Sequence, residues 1–260
     1  MLLEQKEQYV DCLVELWHKV FGDEEEYIRL FFKEAYYDSE CFVKLVDGKV
    51  VSAFYLLRCK IRFSDKTYEG RYLYAAATLP EYRGKGIMSE LIGEAVAYCK
   101  EVNLDYIALV PASESLYGYY GRFGFVEAMY KYRFTLNNDF VTLRAYRETE
   151  GADEFYKVRS SVDGVLFYGK KGSDYAFECL RFSGDKIISV SDDSFYIDGE
   201  ELFIGGDDAS AVNFLSSLGG ERVVYSNKPL RNAEKIRNGM LYCFDDELTD
   251  KGIYMNIALD

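Results

Sequence analysis

With 260 residues, 49% of them hydrophobic and 17% aromatic, the chain has ample material for a packed core and length for one large domain or two ordinary ones. A net charge of −13 argues against a general nucleic-acid or anionic-membrane binder, because a polyphosphate surface demands a compensating basic face. No apolar run approaches the roughly 20 residues of a membrane span and the first residues carry no apolar signal region, so a cytoplasmic protein with no membrane partner is expected.

Val10, Leu13, Val14, Trp17, Val20 and Phe21 recur at helical spacing, and Ile28, Phe31, Phe32 and Ala35 form a second stripe after Gly22-Asp23. Strands at 41–46 and 50–57 flank the hairpin signal Asp47-Gly48, the second strand continuing toward Phe63. A third strand over 68–78 ends in the small residues Ala75, Ala76, Ala77 and Thr78, and Pro80 then removes a sheet donor. Met88, Leu91, Ile92, Ala95, Val96 and Cys99 predict a helix of about three turns. A buried strand at 106–110 stops at Pro111, and 113–120 leads into Tyr120-Gly121-Arg122-Phe123-Gly124-Phe125. After the polar break at 137–139, a strand is expected at 140–146 and helices at 152–161 and 174–182. Short strands at 186–190, 194–197 and 201–204 follow, then a helix at 209–218 and strands at 222–225, 240–244 and 252–259. The six cysteines lie far apart with no C-x-x-C pair and read as reduced core residues. With a single histidine, His18, read as structural, a zinc site or a histidine-based triad lacks material, and no metal is expected.

Between strand and helix lies Pro80-Glu81-Tyr82-Arg83-Gly84-Lys85-Gly86-Ile87-Met88. Gly84 and Gly86 let the backbone approach a ligand, and the helix beginning there offers unpaired N–H groups and the positive end of its dipole. Arg83 and Lys85 add charge, so a diphosphate is a natural guest. A tight connection that binds nothing reads equally well from this segment alone. The third glycine of the dinucleotide fingerprint and the Gly-Lys-Ser/Thr of the P-loop are both missing, which argues against NAD and ATP.

The two segments together resemble the GNAT superfamily of acyl-CoA-dependent N-acyltransferases, whose phosphate motif is Gln/Arg-x-x-Gly-x-Gly/Ala and whose next landmark is Tyr-x-x-x-Gly-Phe. Here they read Glu81 to Gly86 and Tyr120 to Phe125, with a helix and a strand between. Ser113-Glu114 followed by Tyr120-Gly121-Arg122-Phe123-Gly124 is most similar to the enhanced-intracellular-survival-like branch, at an interval about two residues longer. The resemblance covers about residues 43–134. It departs at Glu81, which puts an acid where the family carries Gln or Arg.

The resemblance implies an α/β mixed-sheet GNAT fold at 1–137, an acyl-CoA-binding catalytic domain, followed at 138–260 by a degenerate GNAT-like domain. This tandem arrangement would hold one CoA site, because Gly205-Gly206-Asp207-Asp208 in the second half is acidic and would repel a pyrophosphate. It further implies acetyl-CoA as acyl donor, held by Ala76, Ala77, Thr78, Arg83, Gly84, Lys85, Gly86, Ile87, Met88 and Ser113. The acceptor would be a primary amine, on a small cationic molecule or at a lysine or N-terminus of a peptide. Tyr120 would serve as general acid toward the departing thiolate. No acid lies on the strand before the glycine turn; the resembled branch uses its terminal carboxylate as base, which points to Asp260, with Glu114 as the alternative. A catalytically silent CoA-binding or protein-interaction module is the rival reading.

Overall fold

The computed structural model describes residues 1–4, 6–64, 66–138, 146–149, 151–205, 208–227, 229, 232–244, 246–249, 251–255 and 259. Its fold is mixed α/β. Helices α1 (Val10–Phe21) and α2 (Glu25–Glu34) come first. Each buries one stripe, Leu13, Val14, Leu16 and Trp17 on α1 and Ile28, Phe31 and Phe32 on α2. Glu25 and Glu26 in the first turn of α2 sit where the helix dipole favours negative charge.

Strands β1 (Glu40–Val46) and β2 (Lys49–Phe63) form the expected antiparallel hairpin, and the turn residues Asp47 and Gly48 take φ of 49° and 77°. Strand β3 (Lys66–Thr78) pairs with β2 along its length, and α3 (Ile87–Glu101) follows the glycine turn. Strand β4 (Tyr106–Leu109), α4 (Glu114–Gly121) and β5 (Val126–Asn138) complete the first half. β3 and β4 are parallel neighbours only where Gly70–Tyr72 face Tyr106–Ala108. Beyond that point they part.

The second half supplies β6 (Arg147–Glu148), α5 (Ala152–Ser161), β7 (Leu166–Tyr168), α6 (Lys170–Phe182), β8 (Lys186–Ser191), β9 (Ser194–Asp198) and β10 (Leu202–Gly205). It ends with α7 (Asp208–Leu215), β11 (Gly220–Ser226), β12 (Glu234–Cys243) and β13 (Ile253–Tyr254). All strands join one sheet, whose main path runs β1-β2-β3-β4-β12-β5-β11-β10-β9-β8-β6. The insertion of β12 is its main topological feature. Met240–Cys243 pair with Leu109–Tyr106 of β4, while Glu234–Leu241 pair with β5 on the other side. A late segment of the chain therefore completes the sheet of the first half and fills the gap between β4 and β5.

Several elements differ from the sequence expectation. Helix α6 begins at Lys170, four residues early, because Gly172 lets its first turn sit on Tyr168: a Cβ there would lie 2.9 Å from the Tyr168 Cβ. Strand β12 begins at Glu234, where a polar run with little alternation hid an element paired on both sides. The strand expected at 140–146 lies outside the described residues except for Tyr146, and of the one at 252–259 only Ile253–Tyr254 is described as strand. Four cysteines are buried as expected, but Cys12 is exposed and Cys243 half-buried, and none of the six forms a disulfide.

The core has three parts. One packs α1, α2, α5 and α6 against one face of the sheet, a second lies under α3, and a third surrounds α7. Side chains alternate along β3, so Tyr72 and Tyr74 enter the first and Leu73 the second. Among the described residues no helix is long and apolar enough to cross a membrane.

Candidate functional site

The glycine turn builds a cavity of about 360 Å³ lined by Thr78, Tyr82, Arg83, Gly84, Gly86, Ile87, Met88, Ser89, Tyr119 and Arg122. Gly84 and Gly86 adopt φ of 72° and 78°, a backbone state that a side chain would strain. The first intrahelical bond of α3 runs from Glu90 N–H to Gly86 C=O, at 2.9 Å. The amides before it are those a helix leaves without an internal acceptor. Arg83 Nε donates to the Thr78 carbonyl at 3.0 Å, tying the turn to the end of β3. Arg122 stands 5.0 Å from the Tyr119 ring centre, and the Tyr119 and Ser89 hydroxyls are 3.3 Å apart. The site thus combines oriented N–H groups with two guanidinium groups, an arrangement suited to a diphosphate. Glu81, the acid at the family's Gln/Arg position, is not among the lining residues.

A second cavity, of about 210 Å³, opens where β3 and β4 part. A bulge lies in its β3 wall. Tyr55 faces Tyr74 and Ala53 faces Ala77, so Ala75 and Ala76 together oppose the single residue Phe54. Ala75 takes φ of 49°, which for a non-glycine residue costs about 1–3 kcal/mol. Ala75 and Ala76 line one wall and Tyr120 another. Ala76 and Thr78, one in each cavity, are two residues or about 7 Å of strand apart.

Tyr120 is 7% exposed, packed edge-on against Tyr119 and Phe125. Burial, with a smaller contribution from Tyr119, pushes its phenol up to about 12. Among the described residues its hydroxyl has no hydrogen-bond partner, leaving the donor available to a ligand.

The remaining expected residues are placed unevenly. Ile87 and Met88 line the first cavity, whereas Ala77 is buried and its carbonyl accepts from Ser52 Oγ at 2.9 Å. Lys85 sits beside the turn with Nζ 4.9 Å from the Tyr82 ring centre, outside the lining. Ser113 precedes α4, is exposed and shares a 3.0 Å hydrogen bond with Ser115, lining neither cavity. Glu114 pairs with Arg237, also away from both. Asp260 lies outside the described residues, but its neighbour Leu259 is buried and lines the Tyr120 cavity. Gly206 and Asp207, half of the acidic segment in the second half, also lie outside them.

Sequence reasoning missed Arg122 and Tyr119, although both stand inside or beside the landmark run, because helical phase and not spacing turns them toward the glycine turn. It missed Trp17, Phe21 and Asp23, which line the Tyr120 cavity from a distant segment, and Tyr74 on β3 itself. His18 is exposed, with Nδ1 2.7 Å from the Asp23 carbonyl oxygen. Among the described residues no group of three His, Cys, Asp or Glu side chains could hold a metal ion.

Residues 3–128 match the acetyltransferase (GNAT) domain family. The N-alpha-acetyltransferase MAK3 of Arabidopsis thaliana is 31% identical over 102 residues, which span 37% of this chain and 50% of that protein. Among solved structures, a GCN5-related N-acetyltransferase from Kribbella flavida superposes with a TM-score of 0.65 at 18% identity, covering 94% of this chain and 71% of that one. Eis1 from Mycobacterium abscessus gives 0.67 at 11% identity, covering 95% and 74%. At such identities the likeness is one of fold, and it extends over nearly the whole chain. The family match is to residues 3–128, just under half of the chain, and beyond them the likeness to GNAT acetyltransferases is one of fold.

Proposed function

We propose that the protein transfers an acetyl group from acetyl-CoA to a primary amine, by direct attack. One observation carries the reading: Ala76 and Thr78 on one strand join the glycine-turn cavity, suited to a diphosphate, to an apolar cavity containing Tyr120. The CoA diphosphate sits on the glycine turn between Arg83 and Arg122. The pantetheine arm follows β3, and the thioester reaches the bulge, where the interrupted ladder frees backbone donors to polarise its carbonyl. The amine enters from the side of α1 and attacks that carbon.

The phenol of Tyr120 donates its hydrogen to the sulfur that leaves. With the phenol near 12 and a thiol near 8.5, complete proton transfer is uphill by about 3.5 units, or about 5 kcal/mol. Tyr120 therefore stabilises the thiolate chiefly through the hydrogen bond, and the proton arrives later from solvent. Asp260 is the assigned proton acceptor, supported by the position of Leu259; deleting both residues should lower turnover, and unchanged turnover removes Asp260 from the mechanism. Residues 1–137 and 138–260 are read as two GNAT-like units, the second contributing β12 and the Leu259 wall.

Free thiol release from acetyl-CoA, followed over a panel of primary amines and short peptides, tests the reading. Amine-dependent release supports it. Tight CoA binding with no release on any acceptor overturns it in favour of a silent CoA-binding module.

A further inference from the structure

One wall of the Tyr120 cavity is aromatic, formed by Trp17, Phe21, Tyr72 and Tyr74. Among the described lining residues Asp23 carries the one charged side chain. It lies in the turn between α1 and α2, and Trp17 Nε1 donates to its Oδ2 at 2.7 Å. That bond fixes the carboxylate against the cavity wall. Among the described residues no lysine or arginine pairs with Asp23 and its Oδ1 accepts no hydrogen bond, so the carboxylate has a face left for a cation.

We infer that the acceptor is a small monoamine on an apolar body, its ammonium held by Asp23 until it gives one proton to the acceptor assigned above, Asp260, and attacks as the neutral amine, with its body packed among Trp17, Phe21 and Tyr74. The inference rests on the reading of this cavity as the acceptor side. A single ammonium finds one carboxylate and the faces of aromatic rings, both favourable to a cation. A second or third ammonium would be desolvated among apolar groups without a counter-charge, which is costly. An acceptor carrying several positive charges is therefore disfavoured. At about 210 Å³ it falls below the range of about 300–1,000 Å³ typical of sites for drug-sized ligands, so the acceptor is small.

The chain contains a single tryptophan, Trp17, at the proposed site, and its fluorescence reports binding without requiring turnover. With CoA present, 2-phenylethylamine should saturate the signal at least about tenfold more tightly than spermidine. Asp23→Asn keeps an oxygen to accept from Trp17 but loses the charge. It should weaken 2-phenylethylamine at least about tenfold and leave the neutral 2-phenylethanol within about twofold. Retained 2-phenylethanol binding also shows that the variant is folded. Spermidine binding as tightly as 2-phenylethylamine, an unchanged amine affinity in Asp23→Asn, or no amine binding at all overturns the inference. Failure of acetyl transfer is separate: it appears as absent thiol release and leaves the fluorescence titration to decide the acceptor class.

Discussion

The two cavities meet at one strand yet are built in opposite ways. The glycine-turn cavity draws most of its lining from residues 78–89, and its chemistry is mostly backbone: left-handed glycines, helix amides and two arginines. The Tyr120 cavity draws on α1, β3, β4, α4 and Leu259, segments as far apart as the chain allows, and apart from the backbone of the β3 bulge its chemistry is side chain. A site made by local backbone tolerates side-chain change and fails when the backbone is altered. A site assembled from distant side chains should behave in the reverse manner.

The largest effect should follow from the substitution that breaks this contrast at the backbone. Gly86→Val places a β-branched residue at φ of 78°, costing about 1–3 kcal/mol and so on the order of tenfold to a hundredfold in CoA affinity. Calorimetric CoA titration measures it. The Trp17 response to 2-phenylethylamine without CoA should stay near wild type, and a parallel loss there would show that the cavities are not separable. Tyr120→Phe is the converse. It removes one hydroxyl from the assembled cavity, so acyl transfer should slow by at least about tenfold while CoA affinity stays near wild type. Turnover equal to wild type would sink the assignment of Tyr120.

The same contrast explains what could be read from sequence. Glycines at 84 and 86, the small run 75–78 and the Tyr120 landmark are contiguous, and contiguous physics such as chain reversal, helix start and close approach leaves contiguous signals. The bulge itself did not show, because Ala75 at φ of 49° is an alanine among alanines, and only its register against Phe54 displays the extra residue. Asp23 and Trp17 were legible as helix-end and core residues but not as cavity walls. Their role depends on the separation of β3 from β4 beyond Tyr72 and Ala108, a feature of the sheet and not of any local segment. Tyr74 likewise meets Tyr175 of α6, hydroxyls 2.8 Å apart across 101 residues of sequence, a contact that no local pattern encodes.

A smaller effect is expected at Arg122, the cation that sequence reasoning passed over. It lines the backbone-made cavity, and it also stacks on Tyr119. A solvent-screened guanidinium contributes modestly to binding, so Arg122→Ala should weaken CoA by about threefold to tenfold, more at low salt than at high. Salt-dependent titrations of wild type and variant check this. Equal slopes against salt would mean that Arg122 does not reach the diphosphate.

The smallest effect is an expected constancy. A phenol in water loses its hydrogen near pH 10, but burial pushes that of Tyr120 up to about 12, so its donor persists through the working range. The ratio of wild-type to Tyr120→Phe turnover should therefore stay flat from pH 7 to about 10.5, whatever the amine acceptor's own titration does to both rates. A ratio that halves at about pH 10 would indicate a solvated phenol and a more open cavity than the packing of Tyr119 and Phe125 implies. The sign of the linked stability limits the window. A raised phenol favours the fold fully below its unfolded value of about 10, and that contribution is lost as pH climbs toward 12. Circular dichroism at each pH must show an intact fold before a falling ratio is assigned to Tyr120. Several other tyrosines, among them Tyr55, Tyr74 and Tyr106, are also raised well above their usual value by burial and will add to alkaline unfolding.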